Sequence, residues 1–222
     1  MTSSTLVPKQ NGTRSEQILL FGRNFVKHPR MLGSLIPSSR FLVDRVLRQV
    51  DWGRASTIVE YGPGVGTITG EILRRLRPDA SLVTIEMNRD FVHYLRRTGH
   101  DRRLHVVEGS AADVKSILAE RGLGHADYVI SGIPYSTMPA DVRARILQAT
   151  HEVLHPSGAF LVYQFTRAVL PYLRDTFALV DQEFEPRNIM PARLFFCRRH
   201  PDRRGTSRKR SSRKRARAGS DR

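Results

Sequence analysis

Three glycines and two acidic residues have the types and spacing of a cofactor site. The segment VEYGPGVGTITGEIL (59–73) runs from an apolar strand pattern through Gly62, Gly64 and Gly66 into a helical pattern. Glycines let the backbone turn tightly and approach a ligand, and a helix start offers free N–H groups. Glu86 ends the next apolar segment about 20 residues later, where a carboxylate can accept hydrogen bonds from ribose hydroxyls. The pattern fits nucleotide-like cofactors in general and does not exclude NAD.

An acidic residue within the first strand narrows the choice of cofactor. Glu60 is placed to pair with the ammonium group of a methionine moiety, and the loop has no second phosphate-binding device for a pyrophosphate. Both features favour S-adenosyl-L-methionine over a dinucleotide. Turn glycines without a ligand, and a purely structural Glu60, stay open as alternatives.

A second loop has the composition of an acceptor site. The segment SGIPYSTMP (131–139) resembles the Asn-x-Pro-Tyr loop with which adenine-methylating enzymes hold an amino group, but Gly132 stands at the Asn position. A primary alkyl amine has a localised lone pair, so carbonyl acceptors at Ser131, Gly132 and Ile133 could suffice to position it. Tyr135 could present an aromatic face to a methylated cation, or it could simply pack in the interior. Glu60, Tyr135 or water could take the proton, and no residue is an obvious general base.

The charge of the chain indicates a polyanionic partner. Its 222 residues carry a formal net charge of +16, and residues 198–222 contain 12 Lys and Arg against two Asp. Nucleic acid and an anionic lipid surface both fit this excess of positive charge. Cys197 is the single cysteine, which excludes an internal disulfide and a cysteine-based metal site, and we expect no metal. No apolar run is long enough to span a membrane, so we expect a cytoplasmic protein.

Composition divides the chain into four segments. Residues 1–13 are polar and predicted to be disordered, residues 14–37 to form an amphipathic membrane-associating segment, residues 38–199 to form the catalytic domain, and residues 200–222 to form a basic disordered tail. A helix over Glu16–His28 has an apolar stripe and flanking basic groups, as an interfacial helix does, although a helix docked on the sheet would look alike. The candidate lipid contacts are Phe21, Arg23, Phe25, Lys27 and Arg30, with Arg187 and Asn188 in a later turn that could equally be solvated.

Hydrophobic periodicity predicts an α/β fold with a seven-stranded, mainly parallel sheet. Helical patterns separate five near-continuous apolar segments, and two final strands around PRNIMP form an antiparallel hairpin. This is the expected order of a single-domain class I, Rossmann-like methyltransferase. The predicted strands cover 56–61, 81–86, 103–108, 126–131, 159–165, 177–185 and 192–199.

The motifs in this order resemble the bacterial phospholipid N-methyltransferases, which are similar to the rRNA adenine dimethyltransferases. The resemblance covers roughly residues 18–198 and rests on HPRMLGSLIPSSR, the SGIP…MP loop and NIMPA, with the more widely shared glycine loop. It implies stepwise N-methylation of phosphatidylethanolamine toward phosphatidylcholine by a peripheral membrane enzyme. The alternatives are another aminolipid such as ornithine lipid, an RNA adenine that the basic tail would attract, or a noncatalytic binding module.

The same resemblance implies roles for individual residues. The three loop glycines would surround the carboxypropyl and ribose parts of the cofactor, Glu60 would hold its amino end and Glu86 its ribose. The family usually has Asp at Ser110, and a serine is a weaker acceptor for the adenine amino group. Asp113 could serve instead, or could cap the following helix. Further cofactor contacts are implied for Met87, Ala111 and Ser131.

Overall fold

The computed structural model describes residues 39–199, so the predicted helix over Glu16–His28 and the basic tail lie outside the described residues. Six α-helices are present in this range: α1 (Arg40–Leu47), α2 (Thr67–Arg75), α3 (Arg89–Thr98), α4 (Val114–Ala119), α5 (Ala140–Val153) and α6 (Leu170–Thr176). Two short 3₁₀ helices cover Ala111–Asp113 and Tyr135–Thr137. Seven strands accompany them: β1 (Thr57–Tyr61), β2 (Ser81–Glu86), β3 (Leu104–Glu108), β4 (Ala126–Ser131), β5 (Leu154–Gln164), β6 (Leu179–Glu185) and β7 (Ala192–Arg198).

The strands form one sheet in the order β3-β2-β1-β4-β5-β7-β6. Strands β1 to β5 are parallel, whereas β7 runs antiparallel to both β5 and β6. The predicted α/β fold with a terminal antiparallel pair is therefore confirmed. Parallel strands are buried on both faces, which is why their sequences are almost continuously apolar.

Helices cover both faces of the sheet. On one face, α1 and α2 bury Leu47 and Ile72 against residues such as Ile58 and Leu161. On the other, α4, α5 and α6 contribute apolar side chains to a core that contains Val129. Ser39 begins α1 as its N-cap, and its hydroxyl accepts a 3.3 Å hydrogen bond from the Leu42 N–H.

The strand order reverses at β1: β2 and β3 lie on one side of it, and β4 and β5 lie on the other. This reversal places two loops side by side. Tyr61 at the end of β1 pairs with Ser131 at the end of β4, so the glycine loop and the SGIPYSTMP loop leave the same edge. Ser131 in turn pairs with Val162 near the end of β5. Open α/β sheets bind ligands at such a switch point, beyond the carboxyl ends of the strands.

Two local features differ from the sequence prediction. Strand β5 begins at Leu154, which pairs with Ala126, and the register then shifts before Tyr128 pairs with Ala159. The predicted strand began only after this irregularity. Helix α6 was not predicted because it is only seven residues long and has Pro at its start, where the missing N–H is tolerated.

Candidate functional site

The glycine loop has a backbone that only glycine adopts without strain. Gly62, Gly64 and Gly66 all have positive φ, at 66°, 56° and 79°. A side chain at Gly62 would also collide with the acceptor loop, since its Cβ would lie 2.6 Å from Cγ2 of Ile133. The loop is thus a cradle that lies directly against residues 131–139.

Glu86 is held in place beside this cradle by backbone donors. Its carboxylate accepts hydrogen bonds from the N–H groups of Gly64 at 3.2 Å and Asn88 at 2.9 Å. Burial raises the pKa of Glu86, and these backbone hydrogen bonds oppose the rise. Each carboxylate oxygen has a second lone pair, so the group keeps acceptor capacity for ligand hydroxyls.

Glu60 is a buried carboxylate with a neutral partner. It is 3% exposed and accepts a 2.6 Å hydrogen bond from the Thr69 hydroxyl of α2. Burial raises the pKa of Glu60 to about 7; the Thr69 hydroxyl lowers it, and the nearby Glu86 charge raises it further. Within residues 39–199 no Lys or Arg forms an ion pair with Glu60. A buried acid without a cation fits a ligand that brings an ammonium group.

The segment expected to border an adenine is used partly for local structure. The Ser110 hydroxyl accepts a 3.2 Å hydrogen bond from the Ala112 N–H and so begins a short 3₁₀ turn. Asp113 precedes α4 but makes no capping hydrogen bond through its side chain. Ala111 is buried, whereas Met87 is 75% exposed next to Glu86. These residues lie along the ends of β2 and β3, beside the glycine loop.

Tyr135 lies inside the core. It is fully buried, its ring meets Phe160 edge-on, and its hydroxyl lies 3.0 Å from the Ser131 hydroxyl. Burial raises the pKa of Tyr135 well above its usual value, so its hydroxyl keeps its proton. The structure therefore favours the packing alternative over an aromatic face turned toward substrate, and it does not favour Tyr135 as a base.

Two residues that the sequence analysis did not single out hold the acceptor loop. Gln164 donates to the Ile133 carbonyl at 2.8 Å, and the same carbonyl accepts from the Tyr135 N–H at 3.0 Å. Arg143 of α5 donates to the carbonyls of Tyr135 and Met138. The Ile133 oxygen is thereby saturated, which corrects the expectation that it is available to a substrate amine. Within the described range, the Gly132 carbonyl accepts no hydrogen bond.

Tyr163 packs directly over Gly132. A Cβ built on Gly132 would lie 2.7 Å from Cε2 of Tyr163 and closer still to its Cζ and phenolic oxygen. A side chain at position 132 would therefore require the end of the Tyr163 side chain to move. The only sequence signal for Tyr163 and Gln164 was their position at the carboxyl end of a predicted strand.

The predicted lipid-contact residues have mixed placements. Phe21, Arg23, Phe25, Lys27 and Arg30 lie outside the described residues. Asn188 is buried; its amide oxygen accepts from the Ser39 N–H at 2.8 Å and its amide nitrogen donates to the Met190 carbonyl at 2.9 Å. Asn188 was expected as a lipid contact or as part of a solvated turn; in the structure it is buried and its amide bonds to the backbone and shapes the turn. Arg187 packs over Phe41 and donates to Glu185.

Comparison with known proteins identifies the family to which the chain belongs. A family model described as ribosomal RNA adenine dimethylase matches residues 26–170. The chain belongs to that family. It is an S-adenosylmethionine-dependent methyltransferase, and the glycine cradle with Glu60 and Glu86 fits that cofactor.

Relatives of this methyltransferase differ in how much of it they match. The ornithine lipid N-methyltransferase of Singulisphaera acidiphila is 36% identical over 185 residues, which cover 82% of this chain and 96% of that protein. The ribosomal RNA small subunit methyltransferase A of Acidithiobacillus ferrooxidans is 28% identical over 116 residues, or 52% of this chain and 38% of that protein.

Solved structures share the fold. The 1,6-didemethyltoxoflavin-N1-methyltransferase of Burkholderia thailandensis, with bound S-adenosylhomocysteine, has a TM-score of 0.57 at 15% identity and covers 86% of this chain and 92% of that one. An O-methyltransferase family protein from the same organism has a TM-score of 0.57 at 17% identity, covering 84% and 60%. Among residues 39–199 no helix is long and apolar enough to cross a membrane, and no cluster of metal-ligating side chains occurs.

Proposed function

We propose that this methyltransferase N-methylates the primary amine of a membrane aminolipid, with ornithine lipid and phosphatidylethanolamine as the two acceptors to test. The observation that carries the proposal is Gly132. The acceptor loop begins beside the cofactor cradle with a glycine that has no amide side chain and whose carbonyl accepts no hydrogen bond from residues 39–199. An adenine amino group is delocalised into its ring and needs more help than this. An alkyl amine needs deprotonation and positioning.

The chemistry assigns simple tasks to the protein. When bound, S-adenosylmethionine supplies a methyl group from its sulfonium and leaves as the thioether. The residues around the cradle hold the amine with its lone pair free and keep water away from the reacting atoms. An alkyl ammonium must lose its proton before it can attack. Tyr135 is buried and protonated, and Glu60 bonds to Thr69 and is assigned to the ammonium of the cofactor. We therefore assign the proton to water at the open edge of the sheet, before the amine is enclosed.

An exposed apolar turn at the same edge supports a lipid surface as the place of reaction. Strand β7 is antiparallel to β5, and Arg193 pairs with Gln164, so the turn between β6 and β7 lies at the carboxyl edge. At this turn Ile189 is 74% exposed and Met190 41% exposed, with Arg187 nearby. Apolar side chains flanked by cations are the composition of a surface that enters an anionic membrane interface.

The two candidate acceptors share a primary alkyl amine and differ in the anionic group beside it. Ornithine lipid carries a carboxylate, whereas phosphatidylethanolamine carries a phosphate. The ornithine lipid relative is matched over nearly its whole length, which makes ornithine lipid the first acceptor to test. Phosphatidylethanolamine stays a prediction from the sequence resemblance and is the second.

The direct test is transfer of labelled methyl groups in vitro. Purified protein is incubated with labelled S-adenosylmethionine and anionic vesicles that contain ornithine lipid, phosphatidylethanolamine or neither. We expect label in a vesicle that carries an aminolipid and none in phosphatidylglycerol alone. Gly64→Val serves as the control, since a β-branched residue at a φ of 56° disrupts the cofactor cradle.

RNA supplied in parallel distinguishes the competing function. The family match and the net charge of +10 over residues 198–222 give an RNA adenine as the second candidate acceptor. Label in RNA with none in either lipid would refute the aminolipid proposal.

A further inference from the structure

Tyr163 occupies the space into which a side chain at position 132 would project. Tyr163 belongs to β5 and is next to Gly132 because Val162 pairs with Ser131 in the neighbouring strand. Its phenol lies so close to the Gly132 Cα that even a methyl group there would overlap it. The ring is half-buried, and its hydroxyl lies beside Gly132, which directly follows the end of β4 at the carboxyl edge of the sheet.

We propose that Tyr163 replaces the missing amide side chain of the acceptor loop and, with the Gly132 carbonyl, binds the N–H groups of the substrate amine. The proposal rests on the aminolipid function and names the residue that selects and orients the amine. The phenolic oxygen accepts a hydrogen bond from one N–H, and the carbonyl accepts from the other. The nitrogen lone pair is thereby left to point away from both acceptors.

Three observations define this pair of acceptors. The Ile133 carbonyl is excluded because it already accepts from Gln164 and Tyr135. The Gly132 carbonyl accepts no hydrogen bond within residues 39–199. Gln164 also donates to the Tyr163 carbonyl at 2.7 Å, so one side chain fixes the backbone of both the loop and the end of β5.

The reaction requires no proton transfer to or from Tyr163. The ammonium first loses a proton to water, the neutral amine then forms the N–C bond, and the C–S bond breaks with its electrons going to sulfur. The methylated amine carries the positive charge away and loses a further proton to water before the next transfer. Tyr163 only accepts a hydrogen bond from an N–H that the amine retains.

The number of N–H groups on the substrate makes the proposal testable. A neutral primary amine has two N–H groups, a monomethyl amine has one and a dimethyl amine has none. Removing the phenolic oxygen in Tyr163→Phe should therefore slow the first methylation most, by about tenfold, the second less and the third not at all. A loss of activity caused only by altered folding would reduce all three rates alike.

The experiment compares wild type, Tyr163→Phe and Tyr172→Phe on vesicles that carry the unmethylated, monomethylated and dimethylated lipid. Tyr172 is exposed on α6 and stacks on Arg143, so its hydroxyl should be dispensable. Thermal midpoint and the Kd for S-adenosylhomocysteine are measured for each protein, so that a change in folding or in cofactor binding is separated from a change in the methylation rates.

The outcomes are separable. If wild type methylates no aminolipid, the proposed function fails. If wild type is active and Tyr163→Phe reduces all three rates equally, or none of them, Tyr163 does not bind the amine and this inference is overturned. A graded loss from the primary to the tertiary amine supports it even where the variant is less stable, because the three rates are compared within one protein.

Discussion

Cofactor affinity should depend on pH through Glu60. Burial raises the pKa of this carboxyl to about 7, although the Thr69 hydroxyl donates to it. An ammonium ligand binds the ionised carboxylate, so below pH 7 the site must first release a proton. Without cofactor, the folded protein holds the Glu60 proton more tightly than the unfolded chain does. As pH rises from about 4.5 to about 7, the unfolded chain loses this proton first, so the free energy of unfolding decreases.

The magnitude follows from the fraction of protein that carries an ionised Glu60. With a pKa of about 7 this fraction is about 0.09 at pH 6 and about 0.9 at pH 8. The apparent Kd is the intrinsic Kd divided by that fraction. Cofactor affinity should therefore be about tenfold weaker at pH 6 than at pH 8, which corresponds to about 1.4 kcal/mol of binding free energy.

Calorimetric titration with S-adenosylhomocysteine at pH 6, 7 and 8 measures this dependence. S-adenosylhomocysteine is the better probe because it has no positive sulfur to lower the pKa of its own ammonium. Glu60→Gln should bind weakly, and any pH dependence that it retains reports titration of the ligand, which is subtracted from the wild-type profile. Thr69→Val removes the hydroxyl that lowers the pKa of Glu60, so its profile should move to higher pH. An equal slope in wild type and Glu60→Gln would refute the role of Glu60.

Three further substitutions separate the cradle, the turn and the membrane surface. Gly62→Ala should lower cofactor affinity and reduce the free energy of unfolding by about 1–2 kcal/mol, because it combines a positive φ with a collision at Ile133. Gly122→Ala is the control, since Gly122 has a similar φ but no atom near its Cβ position. Chemical denaturation of this control should show the backbone cost alone, and its cofactor affinity should not change. Asn188→Ala should lower the free energy of unfolding by about 1–3 kcal/mol and leave the Kd for S-adenosylhomocysteine unchanged, since both ends of its amide are bonded within the protein. Unchanged stability with weaker vesicle binding would restore a lipid role for Asn188. Replacing Ile189 and Met190 together by Ser should weaken sedimentation with anionic vesicles and leave cofactor affinity intact, and equal vesicle binding would exclude this turn as a membrane contact.

The fold could be predicted because its signals are local. Strands such as β1 and β2 are buried on both faces, so short segments rich in apolar and β-branched residues identify them. Ser39 and Gly66 have the residue types that helix starts require. The start of β5 was missed because Pro156 and Gly158 have the composition of a turn, although β5 continues through them.

The candidate site could be predicted only where one segment carries the whole arrangement. The glycine loop is such a segment, and its three positive φ values agree with its composition. The environment of the acceptor loop comes instead from distant parts of the chain. Gln164 holds the Ile133 carbonyl, which sequence reasoning assigned to substrate, and Arg143 holds the carbonyls of Tyr135 and Met138. Burial of Tyr135 depends on packing against Phe160. No spacing rule within residues 131–139 contains that information.

The role of Gly132 becomes clear only beside Tyr163. In the sequence Gly132 shows only that an amide side chain is missing, and a missing side chain cannot identify the methyl acceptor. In the structure the Tyr163 phenol fills the space beside Gly132, and a side chain at position 132 would have to displace it. An amide presents a donor and an acceptor in one plane, which suits a flat base, whereas a single phenolic oxygen suits one N–H of a tetrahedral amine. The selection of an amine then depends on the pairing of two strand ends, β4 and β5, and both must change together before the site can accept a different class of nitrogen.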